Sequence, residues 1–159
     1  MFTLRCTSRL LVRLGEPADQ LPSSPTTRLG DWYANVVRVG RSQCVLAISE
    51  RTLLPALLPA APFVSIPARL PEAVGDVLLA IGIQPELVCS EVGEMQPVGL
   101  ARTQSRQLLG SMTDFARLIE GYMELKLPLL DVALRLAEAP CGPIAMRSPE
   151  DVTRDLFRQ

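Results

Sequence analysis

The sequence predicts an α+β domain: a small, mostly antiparallel sheet of about four strands packed against several helices, with a helical C-terminal third. Two β-branched runs joined by a short polar loop make a hairpin, and apolar residues recur at helical spacing through the last third. The composition agrees: 159 residues, 48% hydrophobic and 21% charged, suit a single domain over residues 1–159. A domain of that size buries roughly 70% of the surface of its unfolded chain.

Phe2, Leu4 and Cys6 alternate with Thr3 and Arg5, the period-2 pattern of a half-buried strand. Thr7 is placed to cap a short helix with Leu10, Leu11 and Leu14 on one face and Gly15 at its end. Residues 16–27 hold three prolines in a polar run and read as loop. Residues 33–39 and 44–49 form the hairpin across Gly40-Arg-Ser-Gln43, although Asp31 would also cap a helix begun there. Residues 52–68 carry no charge over 17 positions, but Pro55, Pro59, Pro62 and Pro67 break any membrane helix, leaving an extended connection. A helix over 71–81 has Pro71 in its first turn and Gly82 after it; a second over 85–95 places Val88, Val92 and Met95 on one face. Residues 98–102 complete the sheet as a short strand.

Leu108, Met112, Phe115, Ile119 and Tyr122 then recur at spacings of 4, 3, 4 and 3, one face of a helix. Pro128 opens another, with Leu130, Leu134 and Ala137 on one side, and Cys141-Gly-Pro143 breaks it. Ser148 caps the last helix, with Pro149 in the first turn and Asp151 at the third position.

The absence of histidine removes Ser-His-Asp and Cys-His nucleophile systems, His-ligated metals and an imidazole switch. Cys6, Cys44, Cys89 and Cys141 contain no C-x-x-C pair, so they read as reduced thiols in a cytoplasmic protein, with no metal site and no cofactor. The N-terminus lacks the basic start and apolar core of a secretory signal, and no membrane partner is expected. No Walker loop, dinucleotide fingerprint or nucleophile elbow is present. The net charge of −1 gives no general support for nucleic-acid binding, but it is unevenly spread: +3 over residues 1–51, −4 over 52–101 and balanced beyond. An anion-binding surface should therefore draw on the outer segments.

Two polar clusters stand out there. In Arg102-Thr-Gln-Ser-Arg-Gln-Leu-Leu-Gly-Ser-Met-Thr-Asp114 a strand end runs into a helix start, where Ser111 and Asp114 fit a capping pair. Arg102 and Arg106 supply forked donors, and Thr103 and Ser105 hydroxyls, around a helix N-terminus that favours an anion. A carboxylate at the cap competes with that anion, so a helix cap with structural Arg–Asp pairing is the alternative. In the second cluster, Arg28-Leu-Gly-Asp31-Trp-Tyr-Ala-Asn35, the chain's one tryptophan, Trp32, follows a Gly-Asp turn beside Arg28, Asp31 and Asn35. It either stacks a base or anchors a partner, or plugs the core.

With Leu4-Arg-Cys-Thr7, Glu50-Arg-Thr-Leu-Leu54, Leu109-Gly-Ser-Met-x-Asp-Phe115 and Pro140-Cys-Gly-Pro143, these elements resemble a bacterial family classed as a domain of unknown function. The resemblance spans almost the whole chain and implies a shared module, without an activity to transfer. Asn usually stands in that family where this chain has Gln104 and Thr113, so a role for those amides does not carry over.

The expected function is a non-enzymatic binding or accessory module that recognises a partner protein or a phosphate-bearing ligand through Arg28, Asp31, Trp32, Asn35, Arg102, Thr103, Ser105, Arg106, Ser111 and Asp114. The alternative is a phosphoryl-transfer or nucleotide/RNA-processing enzyme, in which Asp31 or Asp114 acts as general base or holds a metal beside Arg102 and Arg106. A Ser105 or Ser111 nucleophile is weaker still, with only Asp or Lys126 to serve as base.

Overall fold

The computed structural model describes residues 1–15 and 24–159. The elements run β1 (Phe2–Cys6), α1 (Ser8–Leu14), β2 (Trp32–Val39), β3 (Ser42–Ser49), β4 (Pro55–Pro59), α2 (Ile66–Ala80), α3 (Pro85–Glu94), β5 (Val98–Arg102), α4 (Arg106–Glu124), α5 (Leu129–Ala137) and α6 (Pro149–Phe157). Short 3₁₀ turns occupy Phe63–Ser65 and Gly142–Ile144. The class is α+β. Of the expected loop over 16–27, residues 16–23 lie outside the described residues.

The sheet has five strands in the order β4-β3-β2-β1-β5, one more than expected, and it is mixed. β2, β3 and β4 pair antiparallel, whereas β1 lies parallel to both β2 and β5. The two parallel pairs arise because helical connections, not hairpins, separate β1 from β2 and β4 from β5.

The extra strand, β4, falls within the proline-rich stretch that reads as a plain connection. Ser49 N–H donates to the Leu54 carbonyl (3.0 Å) and Ala60 N–H to the Gln43 carbonyl (3.4 Å), one at each end of the β3–β4 pairing. Antiparallel alternation then turns residues 56 and 58 toward β3 and leaves Pro55, Leu57 and Pro59 facing outward. A missing N–H costs nothing to a ladder on its outer side, so both prolines fit this edge. The Arg69 guanidinium covers the Pro59 carbonyl at 2.9 Å.

α2 begins at Ile66, five residues before the expected start, with Pro67 in its first turn and Pro71 inside. α4 begins at Arg106 and is capped by Ser105, whose hydroxyl accepts from Leu108 N–H at 3.2 Å. The expected capping pair is therefore corrected: Ser111 and Asp114 lie inside the helix. The stripe of Met112, Phe115 and Ile119 faces the core as its period requires. In α5 the buried face is Val132, Ala133, Leu136 and Ala137, while Leu130 is 38% exposed; leucines occur on both sides of this helix, and packing selects the face.

α2 and α5 both pack against β4, α4 packs on β2 and β3, and α1 on β1 and β2. Both faces of the sheet are thus covered, and the core runs from Phe2 and Leu4 through Trp32, Leu46 and Ile48 to Leu70 and Leu78.

Candidate functional site

The loop entering β2 is built around two buried carboxylates, Glu91 and Asp31, and the half-buried Glu50. Glu91, on α3, accepts the backbone N–H of Arg28 at 2.7 Å and of Leu29 at 3.1 Å, satisfying two donors that the turn would otherwise bury unpaired. Glu50 accepts Asp31 N–H at 3.0 Å and lies so close to Gly30 that a Cβ there would sit 2.6 Å from its Oε1. Gly30 also has φ +77°, so both space and backbone require glycine.

The Asp31 carboxylate, itself buried, accepts Thr3 N–H at 2.8 Å and faces Arg5 Nε at 3.8 Å. Burial pushes its carboxyl above the ordinary 3.8 and the Glu50 charge adds to this, against the Thr3 amide and the Arg5 and Arg51 guanidiniums. Trp32 is fully buried and so stacks on no external base; its indole N–H has no hydrogen-bond partner among the described residues. Arg28 is exposed, with its guanidinium 5.5 Å from the Phe157 ring and 3.3 Å from the Gln159 carbonyl.

The second arginine cluster lies at the other end of the parallel strands. Arg102 is in register with Cys6, and Cys6 with Ala34, whereas Arg28 precedes the start of β2. The helices that follow β1 and β5 open at this same edge: Thr7 caps α1, and Ser105 caps α4. Asn35 belongs to this edge as well, accepting the Thr7 hydroxyl at 2.6 Å and Val36 N–H at 2.8 Å.

Arg102 and Arg106 are exposed, and no hydrogen bond or ion pair among the described residues engages either guanidinium. The first turn of α4 contains no acid. Asp114 stands eight residues beyond Arg106, about 12 Å along the axis, so it does not occupy the helix opening. The two carboxylates of the enzymatic alternative thus lie apart from the arginine pair, Asp31 committed to Thr3 and Arg5 and Asp114 two turns down α4.

Arg5 links the two ends: near Asp31 through Nε, its Nη1 donates to the Arg102 carbonyl at 3.4 Å. Alternation predicts Arg5 and Thr3 on the open side of a half-buried strand, but all five residues of β1 are buried, because helices cover both faces of the sheet. Glu91 and Glu50 carried no local signal either, because their partners are backbone amides distant in the chain.

Burial raises the Cys6 thiol to about 12 and Cys44 to about 11, leaving both protonated and unreactive at neutral pH. Among the described residues no group of three or more His, Cys, Asp or Glu is placed to hold a metal ion, and no helix is long and apolar enough to cross a membrane.

The family described as domain of unknown function DUF6933 matches residues 3–152. The chain belongs to that family. The DUF6933 match begins in β1 and ends within α6, so it takes in the whole sheet and both arginine clusters. No curated protein and no solved structure matches significantly.

Proposed function

We propose that this domain is a non-enzymatic binding module that holds a phosphate-bearing ligand at the β5–α4 junction. Arg102 and Arg106 supply forked, charge-assisted donors; Thr103 and Ser105 add hydroxyls, and the open N–H groups of the first turn of α4 add partial positive charge. The observation that carries this reading is the pair of exposed guanidiniums, without a partner among the described residues, beside a helix opening that has no acid in its first turn. Arg5 acts from beneath as a positioning residue, holding the end of β5 through the Arg102 carbonyl. A partner protein carrying a phosphate group would be read by the same atoms. The net charge of −1 gives no further support to a long nucleic acid, whose binding draws on many cations at once. The four free cysteines support a cytoplasmic setting, in a bacterium as the family resemblance implies.

The test is a titration with pyrophosphate, nucleoside monophosphates and short RNA, with and without Mg²⁺, at two salt concentrations. Binding is expected to weaken as salt rises and to fall about tenfold or more in Arg102→Ala and Arg106→Ala, the worth of a charge-assisted hydrogen bond. The melting temperature should hold in both variants. Unchanged binding in both, or loss of folding in both, overturns the reading.

A further inference from the structure

We propose that a small cleft between the middle of α4 and the α5–α6 link is a binding site for a primary alkylammonium group. Ser111, Asp114, Phe115 and Leu118 form one wall and residues 139–143 the other, enclosing about 110 Å³. Two of the elements that mark the family resemblance, Leu109-Gly-Ser-Met-x-Asp-Phe115 and Pro140-Cys-Gly-Pro143, are distant in sequence and meet there.

Ser111 is 9% exposed, lines the cleft, and its side chain makes no hydrogen bond among the described residues. Two residues on, Thr113 does what a helical hydroxyl ordinarily does, donating back to the Leu109 carbonyl at 3.0 Å. The Ser111 hydroxyl, on a residue otherwise buried, is thus left for whatever enters the cleft. The Asp114 carboxylate also lacks a hydrogen bond or ion pair among the described residues. Cys141 donates its thiol to the Ala139 carbonyl at 3.4 Å; burial, and then the Asp114 charge, push that thiol upward, so it is a neutral wall and not a nucleophile.

The polar end of the cleft therefore offers acceptors and a negative charge, and Phe115, Leu118, Pro140 and Pro143 supply apolar sides. That combination suits a short aliphatic stem ending in –NH₃⁺, which has three donors and no acceptor. The space equals roughly four water molecules at about 30 Å³ each, enough for a stem of a few carbons. A phosphate or carboxylate would face Asp114, so this cleft is opposite in sign to the β5–α4 junction. It lies about 9 Å along α4 from the Ser105 cap and stands independently of the anion reading.

The ammonium has two sources, a free alkylamine or a lysine side chain. The full chain, isotope-labelled for NMR, is titrated at constant ionic strength with n-butylammonium and with N-acetyl-lysine methylamide, and with 1-butanol and acetate as controls. Saturating shifts confined to the amides of residues 111–118 and of Ala139, Cys141 and Gly142 are expected for an ammonium probe and for neither control. The lysine derivative matching n-butylammonium assigns the site to a lysine side chain; n-butylammonium binding alone assigns it to a free amine. Asp114→Asn should weaken binding about fivefold, the upper worth of an exposed ion pair, with the melting temperature unchanged. Ser111→Ala should weaken it as well, and helix propensity protects its fold. Equal binding of 1-butanol, binding of acetate, absence of saturating shifts, or full affinity in Asp114→Asn overturns the proposal.

Discussion

In the loop entering β2, inward carboxylates are met: Glu91 by two backbone amides, Asp31 by Thr3 and Arg5. At the turn from β5 into α4, Arg102 and Arg106 are exposed and their guanidiniums have no partner among the described residues. Both segments set arginine among polar residues in the sequence, yet only the second leaves its guanidiniums without a partner among the described residues, since even the exposed Arg28 reaches the Gln159 carbonyl and the Phe157 ring. Burial makes the difference. A charged group that leaves water must be matched inside the fold, and once matched it has little left to offer outside.

The strongest way to break this contrast is to remove the sealed side. Trp32→Ala should cost about 4 kcal/mol in urea unfolding, because a fully buried indole leaves a cavity. Trp32→Phe should cost far less, about 1.5 kcal/mol or under, since the lost indole N–H has no partner to strand. A large loss in the phenylalanine variant would show that the N–H is satisfied.

Asp31→Ala comes next, at about 3 kcal/mol, since it strands the buried Thr3 amide and leaves Arg5 unpaired. Asp31→Asn keeps an acceptor for Thr3 and should stay within about 1 kcal/mol. The pH dependence separates the two roles of that carboxyl. Its folded value lies above the unfolded 3.8, so the folded chain holds the proton more tightly. The Asp31 contribution to stability therefore declines as pH rises from 3.8 through the raised value, and returns on acidification. Wild type should gain on Asp31→Asn when both are moved from about pH 7 to about pH 4, read by urea melts. An opposite drift would place ion pairing with Arg5 above burial as the dominant influence.

The smallest stability effect is expected on the open side. Arg102→Ala and Arg106→Ala should each change stability by less than about 0.5 kcal/mol, because exposed unpaired side chains contribute little. Destabilisation comparable to Asp31→Ala would move these arginines to the structural side of the comparison.

The hairpin of β2 and β3, the strand at β5 and the Ser148 cap of α6 were legible because alternation, helical spacing and capping chemistry are local. The candidate site was legible as a list of residues, not as an arrangement. Ser111 and Asp114 sit near Arg102 in sequence, but α4 carries them two turns away and against Cys141. Trp32 beside Arg28 and Asp31 suggested an anchor as readily as a core plug, and only packing separates the two.

By itself, then, the sequence determined the class, most elements and the absence of imidazole chemistry, because these follow from composition and short-range periodicity. Tertiary structure alone decided that the proline-rich stretch contributes β4, since proline is harmless only where a strand's N–H points off the edge of the sheet. It also decided which charges are spent. Whether a guanidinium is paired depends on groups brought from distant parts of the chain, as Arg5 meets Asp31 while Arg102 and Arg106 meet no carboxylate among the described residues.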